Sequence, residues 1–130
     1  MSTIFSKIIA NEIPCYKVAE TKDFIAFLDV SPLAAGHTLV VPKVEVDYLF
    51  DIEDEQYLAL QLFAKTVAVA IKKAIPCIRI GVAVIGLEVP HAHIHLVPLK
   101  ELGDLNFEKE RKVFSPDEYQ EICKKIQQFI

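Results

Sequence analysis

The segment Pro90-His91-Ala92-His93-Ile94-His95-Leu96-Val97-Pro98 carries three of the chain's 4 histidines, each two residues from the next. In an extended strand successive side chains project to opposite faces, so this spacing sends His91, His93 and His95 one way and Ala92, Ile94 and Leu96 the other. A strand over His91 to Leu99 thus has one face for a core and one that bears imidazoles. Before it, Ile78 to Ile85 is rich in Val and Ile and predicts a central strand, with Gly86 in the connecting loop.

Moving outward, the N-terminal side repeats the strand signal. Tyr16 to Glu20 and Phe24 to Leu28 flank a polar Thr21-Lys22-Asp23 turn, and after the Ser31-Pro32 loop His37 to Val41 forms another strand closed by Pro42. Ile4, Phe5, Ile8 and Ile9 recur at helical spacing in a short helix limited by Pro14. Between the two strand groups lies a long helix, with Asp51 as its expected cap, Asp54 and Glu55 at its positive end, Lys72 and Lys73 at its negative end and Pro76 as its stop. About 100° per residue places Ala59, Leu60, Phe63, Ala64, Val67 and Ile71 on a face that covers a sheet. Leu58, Leu62 and Val69 form a second, narrow ridge that one chain leaves unburied, which implies a partner subunit. Ser115, Pro116 and Glu118 make a capping box that opens a C-terminal helix over about 116–130, with Tyr119, Ile122, Cys123, Ile126 and Phe129 at helical spacing. Strands adjacent in sequence with helices set apart from them indicate an α+β fold and a mainly antiparallel sheet.

Composition bounds the rest. The chain has 130 residues, 52% hydrophobic and 25% charged with only 4 Gly, and no repeat or linker divides it, so residues 1–130 are expected to form one domain. Fourteen Lys and Arg against 18 Asp and Glu give a net charge of -4, which disfavours nucleic acid as a partner. The opening residues are interrupted by Lys7, Asn11 and Glu12 and lack a signal-peptide core, and no stretch is apolar enough for a membrane helix. The expected location is the cytoplasm. Cys15, Cys77 and Cys123 lie far apart without a C-x-x-C spacing and read as small apolar residues.

Three histidines in register admit three readings. They form an exposed polar face; or two of them, with a ligand from elsewhere, hold a divalent ion, although Glu88 and Glu101 are poorly placed to help; or a neutral imidazole attacks phosphorus while its neighbours orient it and bind the phosphoryl oxygens.

The His91-x-His93-x-His95 pattern followed by apolar residues resembles the signature of the histidine triad (HIT) family. Ile4-Phe5-Ser6-Lys7-Ile8-Ile9-x-x-Glu12-Ile13-Pro14 resembles that family's opening, Phe27-Leu28-Asp29-Val30-Ser31-Pro32 its first nucleotide loop and Gly36-His37-Thr38-Leu39-Val40-Val41-Pro42-Lys43 its next strand. The resemblance is closest to the Hint-like branch. It implies a HIT-like fold with a five-stranded sheet, joined into ten strands across a homodimer, and action on purine nucleoside phosphoramidates or related adenylates. It further implies that His93 attacks the α-phosphorus to give a nucleotidyl-histidine that water releases, that His95 faces the phosphate oxygens, and that His91 and His37 fix ring orientation and tautomer. Asp29 would accept the ribose hydroxyls. Phe5, Ile8, Ile13, Phe27 and Val30 would enclose the purine, and Leu87, Glu88 and Val89 would line the phosphate side. No cofactor is implied.

The chain departs from the family pattern twice. Thr3 and Ser6 stand where many relatives place zinc-binding cysteines, with Glu45 near a usual histidine, so no structural zinc is expected. Where the family commonly supplies an Asn and a Gln before the triad, the chain reads Ile80-Gly81-Val82-Ala83-Val84-Ile85-Gly86-Leu87. Losing such donors costs on the order of 100-fold in rate per donor. The alternative to a slow enzyme is a dimeric nucleotide-binding or sensing module with weak or no turnover.

Overall fold

The structure, a computed structural model, describes residues 3–130, so the first two residues of the expected 1–130 unit lie outside it. A short helix α1 (Ile4–Ile9) precedes strands β1 (Lys17–Glu20), β2 (Phe24–Leu28) and β3 (Thr38–Pro42). The long helix α2 (Asp54–Ala74) leads to β4 (Arg79–Ala83) and β5 (Ile94–Leu99), and α3 (Pro116–Gln127) follows. The strands form one antiparallel sheet in the order β1-β2-β3-β5-β4, and the architecture is the expected α+β.

Both faces of the middle strands are covered, which is why β2 and β3 are buried at every residue rather than at alternate ones. Phe24, Ala26 and Leu28 of β2, Val40 of β3 and Ile94 and Leu96 of β5 pack with Leu60, Ala64, Val67 and Ile71 of α2. Ile25, Phe27, Leu39 and Val41 project oppositely and pack with Phe5 and Ile8 of α1. Ala92, Ile94 and Leu96 thus join the α2 core as their spacing predicts. The residues between them, His93 and His95, fall on the α1 side, where they are buried and not part of an exposed polar face.

Several boundaries differ from expectation. β5 starts at Ile94, so His91 and His93 precede the ladder, and the His91 and Ala92 amides bond to Val89 and Val46 carbonyls instead. Residues 78–85 hold a shorter strand, and it is an edge strand, paired among the described residues with β5 alone. Val and Ile content reports strand propensity without fixing position in a sheet, and Val82, on this edge, is 59% exposed. Asp51 does not cap α2; it closes a 3₁₀ turn, Leu49–Asp51, after which extended Ile52 packs onto the core and Glu53 takes the cap position. Ala59 is exposed, because the buried stripe runs through Leu60, Ala64, Val67 and Ala70–Ile71 one position round the helix. The lysines and acids at the ends of α2 and the capping box of α3 stand as read from sequence.

Gly36 sets up the entry to β3. Its φ is 91°, and a Cβ there would lie 2.9 Å from Ile75 Cγ1, so only glycine lets the chain turn this closely beneath α2 before His37.

Candidate active site

The four histidines meet on the α1 side of the sheet, with His37 and His91 fully buried and His93 and His95 nearly so. Their protons follow from their partners. The Leu33 N–H donates to His37 Nδ1 at 2.9 Å, which obliges His37 to carry its proton on Nε2. His37 Nε2 then donates to His95 Nδ1 at 3.0 Å, leaving the His95 proton on Nε2. His93 runs the other way: its Nδ1 donates to the His91 carbonyl at 2.8 Å, so its Nε2 carries a free electron pair. His91 Nε2 donates to the Pro42 carbonyl at 2.8 Å and its Nδ1 accepts from the Thr3 hydroxyl at 3.1 Å.

Burial favours the neutral forms on which this pattern depends. His37 is pushed down to about 3, by burial first and then by His95 and the Arg111 cation. His95 is held at about 4, by burial, His93 and Arg111 in that order. Burial also lowers His93, opposed by its bond to the His91 carbonyl. The His93 and His95 rings, 5.0 Å apart between centroids, therefore set a neutral nucleophilic nitrogen beside an N–H donor. That pairing suits attack on an electrophile bearing anionic oxygen. Positive charge placed on His93 would strengthen its bond to the His91 carbonyl.

Asp29 approaches His37 Nε2 at 3.5 Å, and its Oδ1 accepts the Ser31 N–H at 2.8 Å. Burial raises its carboxyl, opposed by the Ser31 amide and Arg111. Asp29, His37 and His95 bring one donor atom each within 4.8 Å of one another, the spacing of a metal site. The hydrogen bonding does not fit one. A metal on His37 Nε2 would need the proton on Nδ1, where the Leu33 amide already donates.

A HIT domain model matches residues 10–102. The chain belongs to the histidine triad family. Adenosine 5′-monophosphoramidase HNT1 of Saccharomyces cerevisiae is 40% identical over 99 residues, covering 75% of this chain and 63% of that protein. The protein "hit" of Bacillus subtilis is 38% identical over 113 residues, 78% of this chain and 73% of its own length. Among solved structures, a HIT-like protein from Bartonella henselae superposes with a TM-score of 0.86 at 34% identity, covering 99% and 96% of the two chains. A hypothetical histidine triad nucleotide-binding protein from Sulfolobus tokodaii gives 0.77 at 32%, covering 95% and 89%.

In this HIT chain, Phe5, Ile8 and Phe27 share one apolar cluster, with Ile13 and Val89 packed against it, and Phe5 touches the triad, 4.9 Å from His93 and 5.9 Å from His91 between ring centroids. Val30 stands apart. It is 76% exposed and borders a groove between β1 and α3 with Tyr16 and Cys123. Leu87, 88% exposed, and Glu88 project from the loop before the triad. Where many relatives are expected to bind zinc, the Thr3 hydroxyl donates to His91 and accepts the Ser6 N–H, and the Ser6 hydroxyl donates to Glu45. Thr3 thereby orients a triad histidine, a role its sequence position did not suggest. Phe107 and Arg111 were likewise missed: the Phe107 ring meets His95 edge-on at 4.7 Å, and Arg111 lies over that ring at 5.5 Å.

Proposed function

We propose that this chain hydrolyses purine nucleoside phosphoramidates or related adenylates at the α-phosphorus. The observation that carries the reading is the opposed protonation of His93 and His95, a free electron pair on one beside an N–H on the other. The yeast and fission yeast relatives named as adenosine 5′-monophosphoramidases support the substrate class. His93 Nε2 forms a bond to phosphorus, the bond from phosphorus to the leaving amine breaks, and the amine departs as it takes up a proton from solvent, which the attacking water of the next step gives back. Water then attacks the same phosphorus, releases the nucleoside monophosphate and returns the His93 electron pair. His95 donates to a phosphoryl oxygen throughout, and Asp29 accepts the ribose hydroxyls. The apolar cluster of Phe5, Ile8, Ile13 and Phe27 supports a base site there.

The test is mass spectrometry of protein quenched during turnover of an adenosine phosphoramidate. Wild type gains one nucleotidyl group, and His93→Ala gains none and does not turn over. An adduct that persists in His93→Ala but vanishes in His95→Ala refutes the assignment.

A second reading, a nucleotide-binding module with little turnover, is favoured by the absence of any polar side chain from Val82 to Leu87. Binding of nucleoside monophosphate without hydrolysis of any phosphoramidate or adenylate would establish it. Under either reading the chain is a homodimer, supported by exposed Leu58 and Leu62 on α2 and by the open β4 edge, across which two sheets would join into ten strands. A cytoplasmic location is consistent with these substrates, and among the described residues no helix is long and apolar enough to cross a membrane.

A further inference from the structure

Three carbonyls of the loop that bears Asp29 are each held by a donor from the segment after β5. Tyr119 Oη donates to the Asp29 carbonyl at 2.9 Å, the Arg111 guanidinium to the Ser31 carbonyl at 2.6 Å, and the Lys112 N–H to the Pro32 carbonyl at 2.8 Å. A second Arg111 nitrogen donates to the Phe107 carbonyl at 3.1 Å. The Phe107 ring lies under the guanidinium and meets both His95 and His37 edge-on. Arg111 therefore spans the site, with one nitrogen on the Asp29 loop and the other on the residue that backs the His37–His95 pair.

Folding alone does not require the Arg111 bond: Ser31 is exposed and water would satisfy its carbonyl, whereas Asp29 is half-buried and Pro32 buried, so their carbonyls need partners from the chain. Here the donors come from residues about 80 to 90 positions along the chain, and they grip the short loop on which Asp29 sits. A loop fixed in advance loses little further freedom when a ligand binds, so its contacts count more fully toward affinity.

We propose that Arg111 is a positioning residue that, with Phe107 and Tyr119, fixes the Asp29 loop and thereby sets a preference for a ribonucleotide over its 2′-deoxy counterpart. The inference rests on the reading of Asp29 as the ribose acceptor. Asp29 Oδ1 already accepts the Ser31 amide, so the electron pairs left for two adjacent hydroxyls on one sugar are usable only if the carboxylate plane is held in place. The Arg111 cation also opposes the upward push of burial on this carboxyl and so favours its carboxylate form. An arginine suits the task because its planar fork bridges two carbonyls, which a lysine ammonium does not reproduce.

The test is equilibrium binding of adenosine 5′-monophosphate and 2′-deoxyadenosine 5′-monophosphate to wild type, Arg111→Ala, Arg111→Lys and Tyr119→Phe. Wild type prefers the ribonucleotide by about tenfold or more, as expected for a hydrogen bond to a charged acceptor. Arg111→Ala brings the ratio to within about threefold while binding the deoxynucleotide nearly as before, and Arg111→Lys does not restore it. Tyr119→Phe lowers the ratio with the cation still present, and it serves alone should the Arg111 variants fail to fold. Equal weakening of both nucleotides with the ratio kept would mark Arg111 as a packing residue and overturn the proposal. A wild-type ratio near one, with the His93 adduct still formed, would overturn it while leaving the His93 chemistry standing; absence of the adduct would count against the underlying function itself.

Discussion

One backbone amide, that of Leu33, decides where the protons of the site reside, since it fixes the His37 tautomer and through it that of His95. The consequence for pH is direct. His37 and His95 remain neutral in the folded chain down to about 3 and about 4, whereas in the unfolded chain they protonate near the ordinary imidazole value of about 6.5. Below that ordinary value the unfolded state binds protons that the folded state refuses, so stability is fully present above about pH 6.5 and declines as pH falls toward the folded values. Urea midpoints measured from pH 7 to pH 4.5 should fall, and His37→Gln should flatten the slope. Because burial lowers His93 as well, the acid limb of kcat/KM should lie below the ordinary imidazole value, which a pH–rate profile reads. Leu87→Gln should raise kcat on an adenosine phosphoramidate and leave monophosphate affinity within about threefold. The exposed Leu87 side chain leaves the new amide in water, while a donor beside the scissile bond acts chiefly as charge develops. The histidines were legible because a spacing of two encodes a shared face, and Asp29 because of the pattern around it. Phe107 and Arg111 were not, since residues 100–115 carry no periodicity and their partners lie far away in sequence.

At the scale of elements, the turn into β3 carries the sharpest expectation. Gly36→Ala puts a methyl against Ile75 and forces a positive φ on a residue with a Cβ, which costs about 1–2 kcal/mol for the backbone alone. Thermal unfolding should show a clear drop in Tm, and activity should fall too because His37 follows directly. Helices α2 and α3 were readable in sequence because their ends carry opposite charges, a proline stop or a capping box, each a local interaction. Strand order was not, because Ile78 to Ile85 has the same β-branched content whether it lies in the middle of the sheet or at its edge. Pairing with β5 alone is a tertiary outcome. The same applies to His91 and His93, whose alternation predicts a strand although they precede the ladder, where the His91 amide bonds Val89, the Ala92 amide bonds Val46 and the His91 ring bonds Pro42.

For the whole molecule, exposed Leu58 and Leu62 together with the free β4 edge lead to an expected dimer. Light scattering on a sizing column should give twice the 14.6 kDa chain mass, and Leu62→Glu should shift it to one chain. The open edge has a further consequence, for how this protein fails. Val82, and Ile78 just before the strand, display apolar side chains along an edge whose outer amides and carbonyls have no strand partner among the described residues, the arrangement on which stray strands add and aggregates grow. Chains parted by dilution or by an interface substitution would expose that template, and loss of the protein on storage would follow from sticking rather than from unfolding. A lysine at Val82, on the exposed side of β4, would blunt the edge against such growth, but at the cost of the ordered pairing through which two chains would share one sheet.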